Sequence, residues 1–210
     1  MDGGSTDDSV TKIEKWQAKL AGFRSHPDDG QAAAINEAIA KGSAPYVCWL
    51  NSDDWLLPGC FRLLLKALED NPNSPAAYGK AWNIREKDSK CTAIWVEPFM
   101  ERRLALRCII SQPATLIRRS AWEAVEGLDP SLHMAMDYDL WWRLYKYSRS
   151  LIMVDEYLAV NRDHEDTKTN TKRKLHYQEA IKTVAKYYKR VPLKWWLYQP
   201  YAVWFKNLLQ

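Results

Sequence analysis

The sequence predicts an α/β sandwich, with a central, mostly parallel or mixed sheet flanked by helices. Three observations carry this. Strand-like apolar runs alternate with helix-periodic segments along the chain, the pattern of a sheet covered on both faces. The apolar run through Leu50 ends in Asn51-Ser52-Asp53-Asp54, which puts acids at the carboxyl end of a strand, where such sheets bind ligands. The chain has 210 residues, 47% hydrophobic and 27% charged, enough for one globular domain with a sizeable core.

The elements follow in order. Met1 to Asp8 reads as a loop, with Gly3-Gly4 for a tight turn and Ser5 or Thr6 capping a helix through Ile13 and Trp16. The strand that should feed this loop is missing, so the chain is expected to be truncated at its N-terminus. Pro27 to Gly30 is turn chemistry, and Gln31 to Lys41 is an Ala-rich helix ended by Gly42. A strand Tyr46–Leu50, an apolar helix Phe61–Leu68, and strands Ala76–Ile84, Thr92–Val96 and Ala114–Ile117 come next. Helices are expected at Ala121–Glu126 and Tyr138–Tyr147, strands at Leu151–Val154 and Tyr157–Val160, and a long helix from Lys172 to Tyr188.

Adjacent carboxylates repel unless a positive group lies between them. Asp53 and Asp54 therefore have two readings: caps for the following turn, or ligands of a divalent cation that carries a phosphorylated molecule. Asp137 likewise reads either as the N-cap of its helix or as a functional acid.

Four motifs lie in sequence order: Asp2-Gly3-Gly4-Ser5-Thr6-Asp7, Asp28-Asp29-Gly30-Gln31 with Asn36, Asn51-Ser52-Asp53-Asp54, and Met136-Asp137-Tyr138-Asp139-Leu140-Trp141. Together they resemble the family 2 glycosyltransferases, inverting sugar-nucleotide enzymes with a Rossmann-like GT-A fold. The resemblance implies a role for each. Asp2 matches the acid that contacts the nucleotide base. Asp29, Gly30 and Gln31, with Asn36 behind them, match the loop against the nucleotide. Asp53 matches the metal acid of the DxD motif, with Asn51 in place of its first acid, which keeps an oxygen ligand for the metal at lower charge. Asp54 is grouped with the donor-side residues and also orders the loop. Asp137 matches the catalytic base. Arg162 and His164 resemble a late Arg-x-His element in which the His reaches the metal; an ordinary exposed histidine is the other reading.

The implied activity is transfer of a sugar from a nucleotide diphosphate sugar to a glycan or lipid-linked acceptor. Mg²⁺ or Mn²⁺ is the implied cofactor, since oxygen ligands suit hard cations. The implied setting is bacterial cell-envelope polysaccharide or lipopolysaccharide synthesis. The chemistry suits the residue types: one carboxylate takes the acceptor proton, while acids and a cation manage the departing diphosphate. Gln112-Pro113 resembles a position near the acceptor and reads equally well as a turn. Trp55 is placed to stack on a sugar, or to line the crevice. Two rivals stand beside this reading. One is a truncated, catalytically impaired binding module. The other is a nucleotidyltransferase, which would want a Gly-rich basic loop near its start.

Charge divides the chain. Residues 168–210 carry ten Lys and Arg against the single acid Glu179, a balance of +9, which leaves −5 elsewhere. Acids thus surround the candidate chemistry, contrary to a nucleic-acid protein. The expected division is a catalytic domain over 1–167 and a basic, aromatic helical tail over 168–210. That tail suits an anionic membrane surface, or packing on the body or a second subunit. No apolar run approaches the roughly 18 residues of a span. The cysteines lack CxxC spacing and read as free thiols. The expected location is the cytoplasm, with peripheral attachment to the inner face of the membrane.

Overall fold

The computed structural model describes residues 1–165, 167–201 and 203. Trp204, Phe205 and Lys206 of the expected tail lie outside the described residues. The helices and strands are, in order, α1 Ser9–Glu14, α2 Gln31–Ala40, β1 Tyr46–Val47, β2 Trp55–Leu56, α3 Cys60–Asp70, β3 Ala76–Arg85 and β4 Lys90–Ala93. They continue with α4 Glu101–Leu106, β5 Thr115–Arg118, α5 Arg119–Ala124, α6 Met136–Ser148, β6 Ile152–Asp163, α7 Lys168–Thr171, α8 Arg173–Tyr188 and α9 Leu193–Pro200.

The strands form one mixed sheet in the order β1-β5-β3-β6-β2, with β4 pairing β3. Its only parallel ladder among the described residues is β3 with β6. The pairing is thus mixed rather than largely parallel. β1 and β2 are short and flank the acidic loop, so most of the span expected as strand Tyr46–Leu50 is extended chain leading to it.

Alternation along β3 builds the sandwich. Ala76 and Tyr78 enter the core shared with α5, α6 and α8, whereas Ala77 and Ala81 face Leu64 and Leu68 of α3. The strands expected at Leu151–Val154 and Tyr157–Val160 are one strand, β6, irregular where it passes Gly79 to Ala81. The exposed Asp155-Glu156 resembles a break in the sequence, yet the ladder continues past it.

Several local expectations change. Ser5 does not cap a helix; its N–H and hydroxyl donate to Asp2, and α1 starts only at Ser9. Asp137 is not an N-cap, because Ala135 holds that position and Asp137 lies in the first turn of α6. The C-terminal segment packs on the body, one of the two readings given above, and supplies Ala180, Ile181, Val184 and Trp195 to the main core. Trp195 also donates from its indole to the Ala105 carbonyl at 2.7 Å. The four cysteines are free.

Candidate functional site

The loops at the ends of the short strands are tied together by amides and carboxylates. Gly30 takes φ +103°, a conformation open to glycine, and frees the N-terminus of α2. Next to it, Gln31 donates to Asn51 Oδ1 at 2.8 Å and accepts from Lys168 Nζ at 2.7 Å. Asn51 donates to Asp54 Oδ2 at 2.9 Å and more weakly to Gln112 Oε1 at 3.4 Å. Gln112 in turn donates to the Trp49 carbonyl at 2.8 Å. Asp54 is buried and accepts the Arg162 N–H at 3.3 Å. Burial pushes its carboxyl above the ordinary range, against the hydrogen bond from Asn51.

Asp53 is partly exposed and lies 3.2 Å from His164 Nε2, just past the end of β6. The motif therefore separates by direction: Asp53 faces out with His164, while Asp54 and Asn51 hold the loop from within. Gln31 engages the Asn51 oxygen, which sets it apart from the outward pair. Among the described residues no cluster of three His, Cys, Asp or Glu side chains could hold a metal by itself. A carboxylate beside a ring nitrogen still fits Mg²⁺ or Mn²⁺, which commonly takes few protein ligands and completes its shell with phosphate oxygens and water.

The first two motifs form one corner. Asp2 pairs with Ser25 in an isolated parallel bridge. Its carboxylate accepts from Ser25 Oγ at 2.6 Å, from Ser5 and from the Gly4 N–H, and these bonds hold it well below the usual carboxylate range. Arg24 clamps the same corner through Glu37 at 2.6 Å and Asp28 at 3.3 Å. Asp29 stays exposed on this loop. Asn36, expected against the nucleotide, is bound in both directions to Leu128, donating to its carbonyl at 2.8 Å and accepting its N–H at 2.9 Å. It clamps the loop before α6.

A cavity of about 180 Å³ opens at the N-terminus of α2, lined in part by Gly30, Gln31, His133, Lys168 and Lys172. The helix end and two ammonium groups make it attractive to anions. Lys168 and Lys172 were not singled out in the sequence, where they are indistinguishable from other tail lysines. Asp137 lies on the α6 face that also carries Trp141, one turn on. Trp141 stacks on Trp49, 6.1 Å between ring centres and 13° apart, which joins this face to the acidic loop. Burial pushes the Asp137 carboxyl up; the Tyr138 N–H and nearby His176 oppose it. Trp55 is 41% exposed beside the loop.

These features define a GT-A-type fold, and comparisons with known proteins agree. The Glycosyl transferase family 2 profile matches residues 1–123, and the chain belongs to that family. A chondroitin synthase of Pasteurella multocida (strain Pm70) is 27% identical over 143 residues, 67% of this chain and 15% of that protein. Staphylococcus aureus TarS 1-349 in complex with UDP-GlcNAc shares the fold at TM-score 0.69 and 14% identity, over 96% of this chain and 62% of that one. The mannosyltransferase PcManGT from Pyrobaculum calidifontis, in complex with GDP-Man and Mn²⁺, aligns at TM-score 0.64 and 15% identity, over 96% of this chain and 61% of that one. The chain thus spans less than two thirds of the length of each. Asp137 and His164 lie beyond the span matched by the family profile.

Proposed function

We propose that this chain transfers a sugar, with inversion, from a nucleotide diphosphate sugar to a glycan or lipid-linked acceptor, assisted by Mg²⁺ or Mn²⁺. The observation that carries this reading is the pair Asp53 and His164, on the loop whose Asn51 is hydrogen-bonded to Gln31 at the anion-attracting end of α2. Asp53 and His164 would hold the cation, and Lys168, Lys172 and the α2 amides would bind the diphosphate. A bound cation supplies charge stabilisation to the departing nucleoside diphosphate. Asn51 and Asp54 keep that loop rigid, and Gly30 lets the α2 amides approach a phosphate closely.

Asp137 would act as base. Its raised pKa suits proton abstraction near neutrality better than an ordinary carboxylate would. The acceptor hydroxyl gives its proton to Asp137 as the oxygen attacks the anomeric carbon, and the bond to the diphosphate breaks on the opposite face. Kinship with a chondroitin synthase supports a polysaccharide acceptor.

The described part of α9 exposes Leu193, Trp196, Leu197 and Tyr198 around Lys194, which supports peripheral contact with an anionic membrane. No helix among the described residues is long and apolar enough to cross a membrane.

The test is Asp137→Asn, assayed with UDP-GlcNAc and GDP-mannose. Nucleoside diphosphate release should fall by about 10²–10⁴-fold, the usual contribution of a general base. Donor binding should persist. Unchanged turnover would remove Asp137 as the base.

A further inference from the structure

We propose that Glu179 is a positioning residue for Asp137, acting from α8 through the loop that begins α6. This rests on the reading of Asp137 as the base. The argument starts with what α6 lacks. Its N-cap is Ala135, a residue with no side-chain acceptor, and Ala is among the poorest caps. The orphan amides at that end still need partners. Glu179 takes the N-cap amide and the two before it, reaching Ala135 from 44 residues away in sequence. Its carboxylate accepts the N–H groups of His133 at 3.2 Å, Met134 at 2.8 Å and Ala135 at 2.9 Å.

Glu179 is only 7% exposed. A carboxylate is costly to bury unless its hydrogen bonds are well made. Here three backbone donors converge on it, at the positive end of a 13-residue helix where a negative charge is favoured. Asp137 sits two residues past the last of those donors. The clamp therefore determines where the first turn of α6 begins, and with it the position of the Asp137 side chain.

The same helix grips the other side of Asp137. From α8, Tyr187 donates to the buried Asp139 at 2.9 Å, and from α6 itself Arg143 donates to the second oxygen of Asp139 at 2.6 Å. His176, one turn before Glu179, lies close enough to Asp137 for their charges to interact. Asp137 is thus bracketed by α8 contacts at residues 133–135 and at residue 139. Glu179 is the only acid in the basic stretch 168–210, a signal present in the sequence.

The test uses the full chain with Glu179→Ala, Glu179→Gln and Asp137→Asn. Amide hydrogen exchange is read at Met134 and Ala135, with β3 as the internal reference. Turnover is read as nucleoside diphosphate release from UDP-GlcNAc and GDP-mannose. Glu179→Ala should speed exchange at Met134 and Ala135 at least about tenfold and leave β3 unchanged. It should lower kcat by about 10²-fold with little change in donor KM, as misplacement of a reacting group by roughly 1 Å does. Glu179→Gln, which keeps one acceptor, should fall between. It should also shift the Asp137 titration followed by carboxyl-carbon NMR, a readout that needs no substrate.

If Glu179→Ala does not fold, Glu179→Gln carries the same comparison. Unchanged exchange with an unchanged Asp137 titration overturns the proposal. So does loosened exchange with full kcat while Asp137→Asn is inactive. Full activity in Asp137→Asn instead overturns the assignment of the base, and the exchange result still reports on the clamp.

Discussion

Gly79 offers a sharp test of how the sheet supports the site. A Cβ placed there would lie 2.4 Å from Leu158 Cδ1, 2.7 Å from Leu158 Cγ and 3.1 Å from the Glu156 carbonyl oxygen. Real contacts of this kind are not tolerated, so Gly79→Ala must displace Leu158 or open the ladder. Leu158 is 1% exposed and packs with Leu64, Leu68 and Ala77 in the core under α3, leaving little room to give. Its carbonyl accepts the Leu57 N–H at 2.9 Å, and the next residues of β6 pair with Trp55 and Leu56. Strain at Gly79 therefore passes into the strand that follows Asp53 and Asp54. Overpacking of this kind costs about 1–3 kcal/mol. For a chain of this size each kcal/mol lowers the melting temperature by roughly 2–4 °C, so a fall of about 2–12 °C is expected. Scanning calorimetry or a circular-dichroism melt measures it. Gly79→Ser should be no better, since its Cβ meets the same atoms. An unchanged melting temperature in Gly79→Ala would show that the β3–β6 contact is looser than these distances imply, and would refute the reasoning.

Other outcomes follow from the same geometry. Asp53→Ala should abolish stimulation by Mn²⁺ or Mg²⁺ and weaken Mn²⁺ binding measured by electron paramagnetic resonance. Turnover should drop by roughly 10²-fold, the scale of one lost electrostatic contact to a transition state; retained metal dependence would point to other ligands. Asn36→Ala should leave both Leu128 backbone groups unpaired and lower stability by about 1–3 kcal/mol in a denaturant melt. Donor KM should stay unchanged, and a raised KM would restore Asn36 to the nucleotide site. Hydrogen bonds from Arg24 and then Lys41 hold the Glu37 carboxyl down from 4.5 to about 2. A depressed carboxylate stabilises the fold above its unfolded pKa and loses that contribution as pH falls. The Arg24 corner should therefore weaken between about pH 4.5 and 2, and Glu37→Gln should flatten that part of the acid-unfolding curve.

Much of the site was legible because its chemistry is written in neighbouring residues. Asn51 to Asp54 announces an acidic strand end, Gly30 a backbone position that only glycine accepts easily, and Met136 to Trp141 a helix that starts with acids. The roles within those motifs were less legible. Nothing in Asn51-Ser52-Asp53-Asp54 says that Asp53 turns outward to His164 while Asp54 turns inward to Arg162. That division depends on β6 lying beside β2, a pairing across more than one hundred residues. The bonds of Asn36 to Leu128 were illegible for the same reason, since that partner lies 92 residues away.

The sequence by itself determined the alternation of strands and helices, the acidic and glycine motifs, and the family, because these depend on local propensity and on short residue patterns. The tertiary structure alone decided the mixed sheet order, the direction each acid faces, and the use of the basic C-terminal segment as part of the core. Those properties arise where distant segments bury apolar faces against one another and must satisfy the polar groups caught between them, as Glu179 does for the amides just before α6.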